Sequence, residues 1–161
     1  MAKDEDEPDR ELGREVFSKI RSAVKRGDAR VIATLLRDGD MYVITTLLDG
    51  IDVNDARSDG WTLMHVAAEV SGAVALVKLL AERGADVNAV TPDRWTPLHV
   101  AAAAGNAEAI RALLQNGADP TRRTLDGRTA EGIARGLRKR GIAEMLRDAA
   151  SRSEGNPSRE R

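Results

Sequence analysis

The sequence predicts an all-α solenoid of about four stacked helix pairs, with an additional helix covering its N-terminal end. Three observations lead there. The first is an internal period: Asp59 and Asp93 lie 34 residues apart, and Asp93 and Asp126 lie 33 apart. Self-similarity at such a period marks an array in which each unit buries its apolar face against its neighbours. The second is the helical spacing of apolar residues inside each period, as in Ile110, Leu113 and Leu114. The third is the recurrence of glycine between these runs, at Gly84, Gly105 and Gly117, where a left-handed residue ends a helix at no steric cost.

Residues 1–11 open Met1-Ala2-Lys3-Asp4-Glu5-Asp6-Glu7 and offer no apolar anchor, so they are expected to be disordered. Leu12, Val16, Ile20, Ala23 and Val24 then recur at helical spacing and predict a helix within 12–27, interrupted at Gly27-Asp28. A second helix carries Val31, Ile32, Leu35 and Leu36 and stops at Gly39-Asp40. A third carries Val43, Ile44, Leu47 and Leu48 and stops at Asp49-Gly50.

Three helices are one too many for a single pair, and two registers fit. Ala23–Gly39 lies over Ala101–Gly117 without a gap, or Ile32–Gly50 lies over Leu98–Gly117 with one residue deleted near Asp49. The second register is preferred, because Ile51-Asp52-Val53-Asn54 must leave directly from an outer helix, and the helix before it is 41–48. On that reading 12–27 caps the stack, hiding an apolar face that other units bury against a neighbour. The first repeat is then 28–58.

The second repeat, 59–92, begins Asp59-Gly60-Trp61-Thr62-Leu63-Met64-His65-Val66-Ala67-Ala68. It continues through Leu79-Leu80 to Gly84-Ala85-Asp86-Val87-Asn88, with one extra residue near Ser71-Gly72. The third, 93–125, carries Thr96-Pro97-Leu98-His99-Val100-Ala101, with Gly105, Leu113-Leu114 and Gly117-Ala118-Asp119 after it. Thr96 suits a helix N-cap and Pro97 the first helical position. The fourth unit, 126–149, is weaker, with Gly132 where histidine would fall, and such decay fits a C-terminal capping repeat. Residues 150–161 are polar and rich in Ser, Gly and Pro, and are expected to form a disordered tail.

The block Thr96-Pro97-Leu98-His99-Val100-Ala101 reads T-P-L-H-x-A, and with the paired alanines and the Gly-Ala-Asp triplets it resembles the ankyrin-repeat family. The resemblance covers about 28–148 and is specific from 50 onward. It implies helix pairs joined by short β-hairpin loops, with histidines that link neighbouring loops. It also implies a concave surface of hairpin tips and inner helices that binds another protein.

Composition bounds the alternatives. The chain has 161 residues, a net charge of −1 and no cysteine. No global field favours nucleic acid or an acidic membrane, and disulfides and cysteine-based zinc sites are excluded. The acidic start is unlike a signal peptide, and no apolar run approaches the roughly 20 residues that span a bilayer. An intracellular protein, cytoplasmic or nuclear and monomeric, is expected. No metal, cofactor or catalytic residue is expected either. His65 and His99 are the only histidines and occupy equivalent positions, and Asp59, Asp93 and Asp126 recur with the period as turn residues. No nucleophile elbow or phosphate-binding glycine cluster is present. The function read from the chain is therefore that of an adaptor or inhibitor. Two alternatives stay open: a likeness to the short ankyrin-repeat inhibitors of cyclin-dependent kinases, and weak nucleic-acid binding through the basic run Arg135, Arg138, Lys139 and Arg140. That run is read first as a solvated helix face.

The resemblance also implies which residues face a partner. They are Arg57, Trp61, Glu69 and Val70 in the second unit, with the loop before it. Arg94, Trp95, Ala103 and Ala104 follow in the third, and Arg122, Arg123 and Arg128 in the last. Thr91, Val90 and Leu125 lie at the same tips. Trp61 and Trp95 are the only tryptophans and share one slot, so the two indoles are expected to form one continuous platform. Arg94 stands where Gly60 and Gly127 occupy the other turns, so either the turn changes type or arginine accepts a left-handed conformation. Asn88, with Leu80 eight residues before it and Asp86-Val87 directly preceding, resembles the target of the oxygen-dependent asparaginyl hydroxylase. Against that stands a role in shaping the loop by hydrogen bonds.

Overall fold

The computed structural model describes residues 18–24, 26–37 and 41–154. Helix α1 covers 18–24, followed by α2 (Ala29–Arg37), α3 (Met41–Leu48), α4 (Leu63–Glu69), α5 (Val74–Glu82), α6 (Pro97–Ala104), α7 (Ala107–Gln115), α8 (Ala130–Gly136) and α9 (Arg140–Glu154). Helices α4, α6 and α8 pack in one column, and α5 packs on α7 in a second. The inner column is close because Ala67, Ala68, Ala101 and Ala102 are its contact residues, all with no exposed surface. Leu80, Ile110, Leu113 and Leu146 fill the space between the columns.

Helices α6, α7 and α8 are bounded as their sequence says. Pro97 opens α6, Thr96 accepts the His99 N–H at 3.4 Å, and Gly105 closes the helix at φ 78°. Asn106 caps α7 by accepting the Ala109 N–H at 3.1 Å. Its amide also donates to the Ala68 and Val70 carbonyls at 3.2 and 3.0 Å, so one side chain starts its own helix and holds the end of α4. Thr129 repeats the capping role for α8 through the Gly132 N–H.

The loops depart from expectation. No strand occurs among the described residues, so the expected β-hairpins are tight turns. Each is closed by two backbone bonds: the Arg57 N–H to the Trp61 carbonyl at 2.8 Å with Gly60 to Arg57 at 2.8 Å, Thr91 to Trp95 at 3.0 Å with Arg94 to Thr91 at 2.8 Å, and Thr124 to Arg128 at 2.9 Å with Gly127 to Thr124 at 2.9 Å. Beyond these, the Asn54 and Asn88 side chains and the Leu125 N–H bond across to a neighbouring loop. The C-terminus differs as well. Helix α9 continues to Glu154, so residues 150–154 are helical where a disordered tail was expected, and 155–161 lie outside the described residues. Leu146 and Met145 anchor the helix, and Ala149 and Ala150 are still half-buried, which carries it past the capping unit.

At the other end, the expected tail 1–11 and the first part of the expected capping helix lie outside the described residues. What is described ties α1 to the rest at three points. Val24 joins Ile32, Ile44, Leu47, Leu48, Leu63 and Leu76 around one apolar centre. The Arg21 guanidinium donates to the Asp49 carbonyl after α3, and Arg57 donates to the Gly27 carbonyl at 3.5 Å. Asp28 caps α2 through the Arg30 N–H at 3.0 Å, and Arg83 reaches from the end of α5 to the Thr45 carbonyl of α3 at 3.3 Å. We propose that α1 closes the stack, with α2 and α3 as the first pair. Deleting residues 1–27 is then expected to uncover Ile32 and Ile44 and to cause aggregation, read by light scattering and thermal melting. Full solubility at an unchanged melting temperature contradicts the capping role.

Candidate protein-binding face

The loop tips are held by a polar lattice that repeats with the sequence. In the first loop the Asn54 N–H bonds to the Asp52 carboxylate at 2.9 Å, and the Asn54 side chain reaches the next loop. There it donates to the Gly84 carbonyl at 3.1 Å and accepts the Asp86 N–H at 2.8 Å. Asn88 does the same one repeat on, with the Gly117 carbonyl at 3.0 Å and the Asp119 N–H at 2.8 Å. The amide of the candidate hydroxylation residue is therefore committed, on both its nitrogen and its oxygen, to a strap between repeats. The sequence reading had it shaping its own loop. The shared Asp-x-Asn spacing of 52–54 and 86–88 is the signal that locates the strap.

The histidines form a second lattice beneath the tips. His65 accepts the Thr62 N–H on Nδ1 at 3.2 Å and donates from Nε2 to the Trp95 carbonyl at 3.1 Å. His99 accepts the Thr96 N–H at 3.1 Å and donates to the Arg122 carbonyl at 3.1 Å. Both imidazoles are buried at 0 and 1 % exposure. Burial lowers both pKa values below the ordinary 6.5, against the opposing pull of the carbonyl each ring donates to. A ring that accepts on one nitrogen and donates from the other is neutral, which agrees with that direction. Each histidine thus fixes the loop of the following repeat, and neither nitrogen is left for a metal or a substrate.

On this frame sit the residues expected to meet a partner. Trp61 and Trp95 are half-buried, and each indole leans on the histidine four residues later, with centroids 5.8 and 6.1 Å apart. Among the described residues neither indole makes a ring contact with the other. The indoles are instead part of the histidine lattice on one side and open on the other. Val70 is a clear correction. It is 9 % exposed, and its carbonyl accepts from Asn106, because the longer turn after α4 folds it inward. Thr91 is also buried, with its hydroxyl accepting the Trp95 N–H at 3.1 Å. Glu69 and Ala104 are exposed at the ends of α4 and α6, and Ala103 is half-buried.

The arginines are exposed but mostly paired. Arg57 bridges to Asp59 at 2.9 Å, Arg122 to Asp119 at 3.8 Å, and Arg128 to Asp126, while Arg123 donates to the Gly127 carbonyl at 2.8 Å. Hydrogen bonds from Thr124 and Arg128 hold the Asp126 carboxyl below its usual range. Arg94 has no such partner among the described residues. It keeps the left-handed turn, at φ 61° beside Gly60 at 83° and Gly127 at 81°. Gly60 has no choice, since a Cβ there would meet Pro92 at 2.4 Å. Arg94→Gly is therefore expected to raise stability by about 1 kcal/mol, read by denaturant unfolding, and a lower stability contradicts the strain.

Sequence reasoning gave less weight to two apolar residues. Val90 is 50 % and Leu125 68 % exposed, both at loop tips. Leu125 donates its N–H to the Asp93 carbonyl at 2.8 Å, and a notch of about 340 Å³ lies between Asp93, Trp95, Leu125 and Asp126. The tips therefore carry apolar surface, a partly open indole and an unpaired guanidinium side by side. No helix among the described residues is long and apolar enough to cross a membrane.

Comparison with known proteins agrees with the architecture. Residues 21–124 match the family model described as ankyrin repeats in three copies. The chain is similar to human BCL-6 corepressor-like protein 1, at 32 % identity over 119 residues. That alignment takes in 73 % of this chain and 7 % of the relative, so the chain spans a small part of that protein's length. Ankyrin repeats are in general protein-interaction modules, and the periodic straps, bridging histidines and stacked helix pairs described above are the means by which such an array presents its loop tips. This chain belongs to the ankyrin-repeat family.

Proposed function

We propose that the protein acts as an adaptor or inhibitor, binding a partner protein on the surface made by its loop tips and the exposed edge of α4 and α6. The observation that carries this reading is the cluster at the second and third tips. Val90 and Leu125 are exposed there beside the open side of Trp95, and Arg94 is held in a strained conformation with no partner among the described residues. Tryptophan and arginine with apolar neighbours make up the composition favoured at binding hot spots. Strain retained at one position, where glycine serves in two equivalent turns, is consistent with a role for the side chain. The likeness to a corepressor-like protein supports a protein that acts through what it binds, and occlusion of the partner's own surface is the simplest mechanism.

The face is tested by photo-crosslinking. A benzophenone side chain is placed at Val90 or Leu125 on the tips, or at Lys78 or Arg111, which are exposed on the outer helices α5 and α7. With the partner first captured by the wild-type domain and then purified, crosslinks are expected from Val90 and Leu125 and not from Lys78 or Arg111. The reverse pattern overturns the proposal.

A further inference from the structure

Four of the six residues around a cavity of about 440 Å³ at the α8–α9 turn are arginines: Arg135, Arg138, Arg140 and Arg147, with Ala143 and Glu144. The earlier repeats carry no such charge at the equivalent positions. Arg135 stands where Ala68 and Ala102 are buried, Arg138 where Gly72 and Gly105 turn the chain, Arg140 where Ala107 begins α7, and Arg147 where Leu114 packs. Arg138 takes φ 60°, against 82° at Gly72 and 78° at Gly105. An arginine placed there works against backbone preference, and its side chain makes no hydrogen bond or ion pair among the described residues. The same holds for Arg140. A terminal repeat needs a polar outer face, but glutamate, glutamine or lysine at these positions meets that need equally well. It does not explain four guanidinium groups around one concavity.

The geometry divides the four arginines into two pairs. Glu131 accepts from Arg135 and, at 3.2 Å, from Arg147 Nε, so one carboxylate fixes two guanidinium groups at the rim. Arg138 and Arg140 form no ion pair among the described residues and share the wall with Glu144. Guanidinium forks are suited to the oxygens of phosphate, which they bind in paired hydrogen bonds. We propose that this cavity is a binding site for one phosphate group on a phosphorylated side chain of a partner protein. Two free guanidinium groups beside two positioned ones suit a dianion better than a single carboxylate. A nucleic-acid strand suits the site less well, because it brings a row of charges spaced by a few Å. Glu144 stands in the cavity wall and Glu131 binds two of its arginines, in a chain whose net charge is −1.

The test is an amide chemical-shift titration at physiological salt with three probes: a blocked Ala-phosphoserine-Ala peptide, its serine counterpart, and a twelve-residue oligothymidylate. The phosphopeptide is expected to move the signals of Arg138, Arg140 and Ala143, and the serine peptide to leave them in place. The double variant Arg138→Gly with Arg140→Ala is expected to weaken phosphopeptide binding about tenfold or more without lowering the melting temperature, since glycine fits the turn. Should that variant disturb the turn, Arg140→Gln, which leaves the backbone alone, carries the same expectation at about fivefold. Equal binding of the serine peptide, or full affinity in the variants, overturns the proposal. Tighter, steeply salt-dependent binding of the oligothymidylate at the same signals replaces it with a nucleic-acid site.

Discussion

Replacing either His65 or His99 with alanine is expected to cost about 3 kcal/mol of stability and to lower Tm by about 10 °C. The estimate follows from what each ring satisfies. Without His99, the buried Thr96 N–H and the Arg122 carbonyl lose partners at 3.1 Å, and a fully buried volume is emptied. An orphaned buried polar group is costlier than the net value of the bond it made. The two sites lie in adjacent repeats and share Trp95, whose carbonyl accepts from His65 and whose indole rests on His99. Their effects are therefore expected to exceed the sum when combined, and the double variant approaches the whole stability of a typical domain.

The same histidines set the dependence on acid. Burial depresses both folded-state pKa values below 6.5, the value the unfolded chain regains. The unfolded state therefore binds more protons than the folded state in the window from 6.5 down to the folded pKa values. Stability is complete above 6.5 and is lost as pH falls through that window, with a slope of up to about 1.4 kcal/mol per pH unit for each histidine. The lowered Asp126 also loses stability on acidification, but only from its ordinary 3.8 downward, so the loss due to the histidines begins at higher pH. Melting curves between pH 7.5 and 5 check this. A wild-type protein whose Tm does not fall between those values, or a folded single-histidine variant whose Tm falls as steeply as wild type, contradicts the assignment.

How much of this was legible in the sequence depends on whether a feature is local. The capping residues Thr96 and Pro97, the glycine stops and the alanine contacts act within a few residues of themselves, and the period made their repetition visible. The bridging role of the histidines came with the family resemblance and is what the structure shows. Contacts that join one repeat to the next were harder to read. Asn106 gives no sign in sequence that its amide holds the Ala68 and Val70 carbonyls nearly forty residues away. The longer turn that brings the Val70 carbonyl to Asn106 also folds its side chain inward, which is why it was misplaced on the binding face. The end of α9 was missed for a related reason. Residues 150–154 are polar enough to read as tail, but helix continues while Ala149 and Ala150 still find cover. For Arg94 the sequence posed two outcomes, and the observed φ of 61° decides between them. The shared slot of Trp61 and Trp95 likewise gave no sign that each indole rests on a histidine four residues along its own helix.

Trp61 and Trp95, the two tryptophans of the proposed binding face, give it its most direct test. Each indole is half-buried, so truncation removes contact with a histidine as well as exposed aromatic surface. The stability term is bounded by that partial burial, at about 1 kcal/mol per site, which leaves the array folded. The binding term is larger if the open side of each ring is desolvated by a partner, at about 2 kcal/mol or more per hot-spot residue. Two such losses amount to about a thousandfold in affinity. The decisive measurement is therefore the affinity of the captured partner for the double variant Trp61→Ala with Trp95→Ala, made at a temperature where circular dichroism shows the variant folded. The account predicts a Tm within several degrees of wild type and no measurable partner binding. A folded double variant that binds with undiminished affinity contradicts it and moves the site away from the loop tips.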